Sequence, residues 1–320
     1  MVRCRIGIVG AGGVALRHAR TLAQLPDVEL VAVTDLDAER RDRFAADTGA
    51  RPVPDLAALL DTTPDAVYVC VPPFAHGAVE EAVVAAGVAM FVEKPLGLDI
   101  AVAERVAAAV EAAGVLTAVG HHWRYSAAVL RARQLLDGRS VRLAVGTWLD
   151  RVPPVPWWSR RAGSGGQVVE QAVHILDLAR LLVGEVREVC AFGNPAPPEE
   201  AGADIDGATA AALRFTSGAV GTVAATCSLG WKHRACLEIY ADGLALLLSE
   251  DGFQVRDEHG SSEVRVDPDA AKLLADRAFV EAVLCRDDGV LVDYREALRT
   301  HRLACAVAAS AVGSTPVVLP

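Results

Sequence analysis

Apolar and polar positions alternate between two textures over the first 120 residues. Short β-branched apolar runs occur at Arg5–Val9, Glu29–Thr34, Ala66–Val71, Val88–Val92 and Leu116–Val119. Between them lie stretches of helical periodicity, Gly13–Leu25, Ala38–Thr48, Leu56–Leu60, Ala75–Ala86 and Ile100–Ala113. Strands that alternate with helices predict βαβ units and a parallel sheet. The strands are apolar nearly throughout, as strands are when helices cover both sheet faces.

The texture changes after Gly120. Tyr125–Leu136 reads as a helix, Val141–Leu149 as a strand, Arg151–Gly166 as an ordered loop rich in Pro, Gly, Arg and Trp, and Gln167–Leu182 as a helix. From Val186 to Val266 several strands are separated by Gly, Asp and Ser with few helices, the pattern of an antiparallel sheet. Two helices, Ala270–Cys285 and Arg295–Ala311, follow. The predicted fold is α/β. A Rossmann-type doubly wound parallel sheet spans residues 1–120, and an α/β domain with a large open antiparallel sheet spans 121–320, its last helix packing back on the first domain.

Composition narrows the functional class. Of 320 residues 52% are hydrophobic and 22% charged, which is globular composition. The net charge of −10 and the short, diluted clusters Arg40-Arg41 and Arg160-Arg161 offer no basic stripe for nucleic acid. The alanine-rich stretch Ala101–Val119 carries Glu104, Arg105 and Glu111, so it reads as an amphipathic helix and not a membrane span. Seven cysteines show no CxxC pair or zinc spacing, and the apolar start is broken by Gly10, Gly12 and Gly13. Together these predict reduced thiols in the cytoplasm.

Candidate chemistry begins at GIVGAGGVALRHA, which follows a strand and opens a helix. Gly10 and Gly12 fill the first two positions of GxGxxG/A and Ala15 the third. The first glycine permits the tight turn, the second admits the pyrophosphate, and the small third residue lets helix and strand pack closely. The pyrophosphate would sit on the helix N-terminus. Asp35, at the end of the second strand, stands where an acid receives the adenosine ribose hydroxyls. A carboxylate there favours NAD, while Arg40 and Arg41 leave NADP as the alternative. The residues expected to hold the dinucleotide are Gly10, Gly12, Gly13, Val14, Asp35, Val71, Pro72, His76, Glu93 and Lys94.

The strand Val88–Val92 ends in FVEKPLGLD, which puts Lys94 at the strand end where such sheets bind ligands. Lys94-Pro95 is a candidate cis bond. Upstream, VYVCVPPFAH places Pro72, Pro73 and His76 beyond the fourth strand. With GIVGAGGVALRH, VPPFAH, EKP, GHHWRY and GGQVVEQAVHILD, nearly the whole chain resembles the Gfo/Idh/MocA family. The resemblance implies a Rossmann domain, then a domain whose open sheet often forms the oligomer interface, hence a homodimer or homotetramer. It also implies NAD(P)-dependent oxidation or reduction of a sugar, cyclitol or similar polyol, with Lys94 in catalysis and His174 at the proton-transfer position. The chain departs from the commoner pattern in having Glu170 where Asp is usual and Ala172 where glycine is usual.

The second-domain segment GGQVVEQAVHILDLARLL can be read by itself. Glu170, His174 and Asp177 are spaced i, i+4, i+7 and would share one face of a helix otherwise lined by Val168, Val169, Ile175, Leu178 and Leu182. Such a face suggests a polar pocket, against the plainer alternative of one wet helix face. No HExxH or second His-rich element supports a metal. Arg124 and Tyr125 are candidate substrate contacts, with an interdomain salt bridge as the other reading of Arg124. Trp148, Trp157 and Trp158 could stack on a sugar or pack locally. Trp231 and Lys232 give a weaker signal for the same pocket.

The mechanism these residues suggest uses His174 as general base, Glu170 as the group that orients it, and Lys94 as donor to the substrate oxygen. Asp177 and Trp158 complete the expected substrate set. Two further classes share this scaffold: glycoside hydrolysis through transient oxidation by a held NAD, and a non-catalytic dinucleotide-binding sugar sensor.

Overall fold

The structure, a computed structural model, describes residues 3–320. Two compact units emerge, one comprising residues up to His122 together with Lys272–Leu298, the other Trp123–Ala271 together with Arg299–Pro320.

The first unit runs β1 (Cys4–Val9), α1 (Gly13–Leu22), β2 (Val28–Thr34), α2 (Ala38–Thr48), β3 (Arg51–Pro52), α3 (Leu56–Leu60), β4 (Ala66–Val69), α4 (Ala78–Ala85), β5 (Ala89–Val92), α5 (Ile100–Ala113) and β6 (Thr117–Val119). All six strands pair parallel in the order β3-β2-β1-β4-β5-β6. That is the doubly wound arrangement, with the strand order reversing at β1 and β4. Several helix bounds were legible because their caps are local. The side chains of Asp37, Asp55 and Asp99 accept from the first-turn amides of Arg40, Ala58 and Ala101, and Gly49 and Gly114 end α2 and α5 in the left-handed conformation. The expected helix over Ala75–Ala86 begins later. Pro73–Ala75 form a 3-10 turn, and Gly77 at φ 113° precedes α4. The two-residue edge strand β3 carried no sequence signal.

The second unit contains α6 (Ala127–Leu136), β7 (Val141–Leu149), α7 (Arg161–Ser164), α8 (Gln167–Glu170), α9 (Val173–Val183), β8 (Val186–Asn194), β9 (Ala208–Phe215), β10 (Val220–Thr226), β11 (Arg234–Ala241), β12 (Leu244–Ser249), β13 (Gly252–Asp257) and β14 (Gly260–Arg265). After it come α10 (Pro268–Val283), α11 (Tyr294–Gly313) and β15 (Val317–Val318). The sheet has nine strands in the order β14-β13-β12-β11-β7-β10-β9-β8-β15. It is mixed and not purely antiparallel, because β7 inserts between β10 and β11 and pairs parallel with β10. Helices α7–α9 supply the crossover that β7 then needs.

The segment that joins the first unit is Lys272–Leu298, so α10 and the first turn of α11 return there, while most of the last helix stays in the second unit. Phe279 and Val280 of α10 sit in the core with Tyr68 and Phe91, and Val292 and Tyr294 pack beside Met90 and Val119.

Strand alternation separates the two faces of the large sheet. Ala144, Gly146 and Trp148 of β7 point to the buried side, where α9 packs. On the other side Leu143, Val220 and Tyr240 stand in register on β7, β10 and β11 and are 36–51% exposed. Gly146 is what allows α9 so close: a Cβ there would lie 2.5 Å from Ile175 Cγ2 and 3.2 Å from Val223. Gly146→Ala is therefore expected to lower stability by about 1–3 kcal/mol. Urea unfolding would show it as a reduced midpoint with an unchanged slope.

Candidate active site

The turn after β1 suits a dinucleotide. Gly10 has φ 87°, and a Cβ there would lie 2.5 Å from the Cys70 carbonyl oxygen, so both conformation and space require glycine. No atom comes within 4 Å of a Cβ built at Gly12 or Gly13. Gly12 caps α1 with no side-chain bond, which leaves the first-turn amides for an anion. Ala15 is fully buried and Val14 is 40% exposed. Asp35 accepts from Ala11 N (2.7 Å) and Asp37 N (2.8 Å), so its carboxylate is oriented by the same turn. Val71 and Pro72 follow β4 and are half-buried.

Two residues expected at the cofactor turn their side chains inward. His76 is buried and donates from Nδ1 to Glu80, which also accepts from Gly77 N at 2.6 Å. Burial opposes charge on Glu80, but the His76 charge and hydrogen bond hold its carboxyl below the usual range. Glu93 is also buried. Its Oε1 accepts from Arg17 Nη2 (2.9 Å) and His18 Nε2 (2.8 Å). His18 Nδ1 in turn donates to Asp276 Oδ1 of α10 at 2.7 Å. The Glu93 and His76 side chains are thus held by buried partners within the first unit. Lys94 is half-buried, and Lys94-Pro95 is cis.

Burial works against a charged His18, yet the Asp276 and Glu93 carboxylates outweigh it and push the imidazole up to about 9. For Glu93, burial is likewise outweighed by His18 and Arg17, with Lys94 adding to them, and its carboxyl is held far below the usual range.

In the second unit the expected single helix is broken. Gln171 N and Ala172 N both donate to Gln167 O, at 2.8 and 3.0 Å, a widened turn between α8 and α9. Glu170 thus lies on the short helix before the break, and its Oε2 accepts from Trp158 Nε1 at 2.6 Å. Trp158 is 1% exposed in a small cluster with Ile205 and Cys227, so it packs protein and does not present a face to a sugar. His174 stands on α9 with Trp123 and Trp148 at centroid distances of 6.0 and 5.8 Å, the rings nearly parallel. Lys232 Nζ lies 5.5 Å from the Trp148 ring centroid and 2.6 Å from Glu250. Asp177 does not share an open polar face with them. It accepts a bidentate pair from Arg124, at 2.8 and 2.6 Å, and a bond from Thr300 Oγ1 at 2.8 Å. Arg124 and Asp177 are almost fully buried within one unit, and Tyr125 is 6% exposed. The interdomain salt bridge is therefore replaced by one inside the second unit.

Sequence reasoning missed His18, Arg17, Asp276 and Trp123. The Arg-His pair inside the fingerprint helix was the only local signal for the first two. Asp276 lies 183 residues beyond Glu93 in the chain, and nothing near it marks it.

Residues 4–121 match the family described as "Oxidoreductase family, NAD-binding Rossmann fold", and residues 123–243 match "GFO/IDH/MocA C-terminal domain". The chain is 30% identical over 227 residues to myo-inositol 2-dehydrogenase of Thermotoga maritima, covering 68% of this chain and 67% of that one. It is 31% identical to UDP-N-acetylglucosamine 3-dehydrogenase of Acidithiobacillus ferrooxidans, covering 71% and 68%. In fold it is similar to the WlbA dehydrogenase from Bordetella pertussis in complex with NADH and UDP-GlcNAcA, with TM-score 0.87, 24% identity and 99% of each chain covered.

Two outcomes follow from the buried charges. Folding raises the His18 pKa from 6.5 to about 9, so between these values the folded protein binds more protons than the unfolded chain. Its contribution is complete below 6.5 and fades as pH rises through 9. Glu93 acts in the opposite direction, contributing above its ordinary 4.5 and losing that contribution as pH falls. Urea midpoints should therefore decline on the alkaline side from about pH 6.5 and on the acid side below about 4.5, and His18→Gln should flatten the alkaline limb. Separately, Arg124→Ala should destabilise by about 3–5 kcal/mol by stranding Asp177. The double variant Arg124→Met, Asp177→Leu should recover most of that in thermal unfolding.

Proposed function

Because the chain belongs to the Gfo/Idh/MocA family of NAD-binding oxidoreductases, we propose that it transfers hydride between the nicotinamide of NAD and a carbinol or ketone of a sugar, cyclitol or related polyol. The observation that carries this reading is the Gly10 turn with the uncapped α1 N-terminus and the oriented Asp35, in a chain that also retains Lys94 and His174.

When bound, the dinucleotide supplies the hydride chemistry. Gly10, Gly12, Gly13 and Val14 would hold its pyrophosphate end, and Asp35 its adenosine ribose. Asp35 favours NAD, with NADP the weaker candidate. Lys94 donates to the substrate oxygen and stabilises negative charge as the carbinol proton leaves. His174 takes that proton, and the flanking Trp123 and Trp148 rings fix its plane. Glu170, held by the Trp158 indole, is in this proposal the carboxylate that orients His174. With Arg124 committed to Asp177, the remaining candidate substrate contact is Lys232, whose half-exposed ammonium suits a polyhydroxylated or acidic sugar. The Thermotoga maritima and Acidithiobacillus ferrooxidans relatives, named for an inositol and a nucleotide sugar, bracket the substrate class.

The exposed apolar row of the large sheet supports a homodimer or homotetramer through that face. No helix among the described residues is long and apolar enough to cross a membrane, and the seven free cysteines support a reducing, cytoplasmic setting.

Calorimetric titration with NAD, then absorbance of NADH with inositols, sugars and UDP-N-acetylglucosamine, tests the proposal. Tight NAD binding with NADH formation is expected, and Lys94→Ala and His174→Ala should each lower kcat by about 100-fold or more in a folded protein. Near-normal turnover of both variants would overturn the residue roles. Glycoside cleavage without net NADH would move the reading to hydrolysis, and failure to bind either dinucleotide would remove its basis.

A further inference from the structure

Glu93, His18 and Asp276 take no part in the chemistry just described, yet all three are buried together directly behind Lys94. Each ring nitrogen of His18 faces a carboxylate oxygen, at 2.8 Å for Glu93 and 2.7 Å for Asp276. Ionised carboxylates only accept, so both nitrogens must donate and the ring is an imidazolium. The ring is wedged edge-on against Tyr68 and Phe91, with centroids at 5.2 and 5.0 Å, and Phe279 closes the same aromatic box. Gly120 completes it: any Cβ there would lie 2.7 Å from the Glu93 carboxyl carbon and both its oxygens.

We propose that His18 and Asp276 are positioning residues for Lys94, acting through a clamp on the Glu93 carboxylate. The inference rests on the reading of Lys94 as the reacting lysine. Lys94 directly follows Glu93 beyond the end of β5, in a bend that runs into Pro95. A Glu93 side chain pinned to α1 and α10 therefore fixes the backbone from which the half-buried Lys94 side chain departs. The clamp draws on three chain segments far apart in sequence, α1, the β5 end and α10, which explains why a helix from the end of the chain packs into the first unit. An apolar trio of the same volume would serve stability as well. Charged, bidirectional hydrogen bonds define instead where the lysine backbone sits. The other titratable groups facing the cluster are Arg17 of α1, which shares Glu93 Oε1, and Tyr68 and Cys70, both pushed up by burial. Lys94 itself is close enough to help hold Glu93 ionised.

The chain has only three lysines, Lys94, Lys232 and Lys272, so reductive methylation with 13C-formaldehyde gives a resolved NMR signal for Lys94 in the full-length protein. The variants are His18→Gln, Asp276→Asn and Glu93→Gln, each checked for fold by circular dichroism. The Lys94 signal should move in all three while Lys232, which lies in the other unit, stays at its wild-type position. The His18 imidazole nitrogens should titrate lower in Asp276→Asn than in the wild type. With a turned-over substrate, His18→Gln and Asp276→Asn should lower kcat by about 10-fold or more, with KM for NAD within about threefold. A Lys94 signal superimposable on wild type in the folded variants overturns the clamp. Should the signal respond while no polyol is turned over, the clamp stands and the reading of function falls.

Discussion

Glu93 can remain ionised inside the first unit only because two cations reach it and a glycine makes room for it. Arg17 and His18 supply the charge, Asp276 keeps His18 charged in turn, and Gly120 leaves the space that any side chain would fill. Burying that many charges is tolerable only with every partner in place. The requirement ties the fingerprint helix, the end of the fifth strand and a helix from near the chain's end into one arrangement. Lys94 inherits its position from that arrangement because it is the next residue in the chain.

The second unit treats its polar groups in the same manner. Asp177 is saturated by Arg124 and Thr300, and Arg180 continues the network from Thr300 to Glu185. Glu170 is taken up by the Trp158 indole. His174 stands between the Trp123 and Trp148 rings, whose nearly parallel faces limit its rotation. Buried polar groups of this unit are thus locked by buried partners, while Lys232 stays half-exposed beside Glu250. Relatives that act on such different polyols as an inositol and a nucleotide sugar are compatible with a constant frame and a variable rim.

Chain patterning by itself determined what depends on local chemistry. Short continuous apolar runs and stretches of helical periodicity located five of the six Rossmann strands and the helices between them. Periodicity placed α2, α3 and α5, whose Asp N-caps are local, and the Gly10 turn marked the dinucleotide candidate, because each signal is complete within a few residues. Only the tertiary structure decided the parallel insertion of β7 beside β10, the break between Glu170 and His174, the inward turn of Glu93 and His76, and the pairing of Arg124 with Asp177. Each of these depends on a partner tens to hundreds of residues away or on which of two faces is buried. The spacing of residues along one helix carries no information about either.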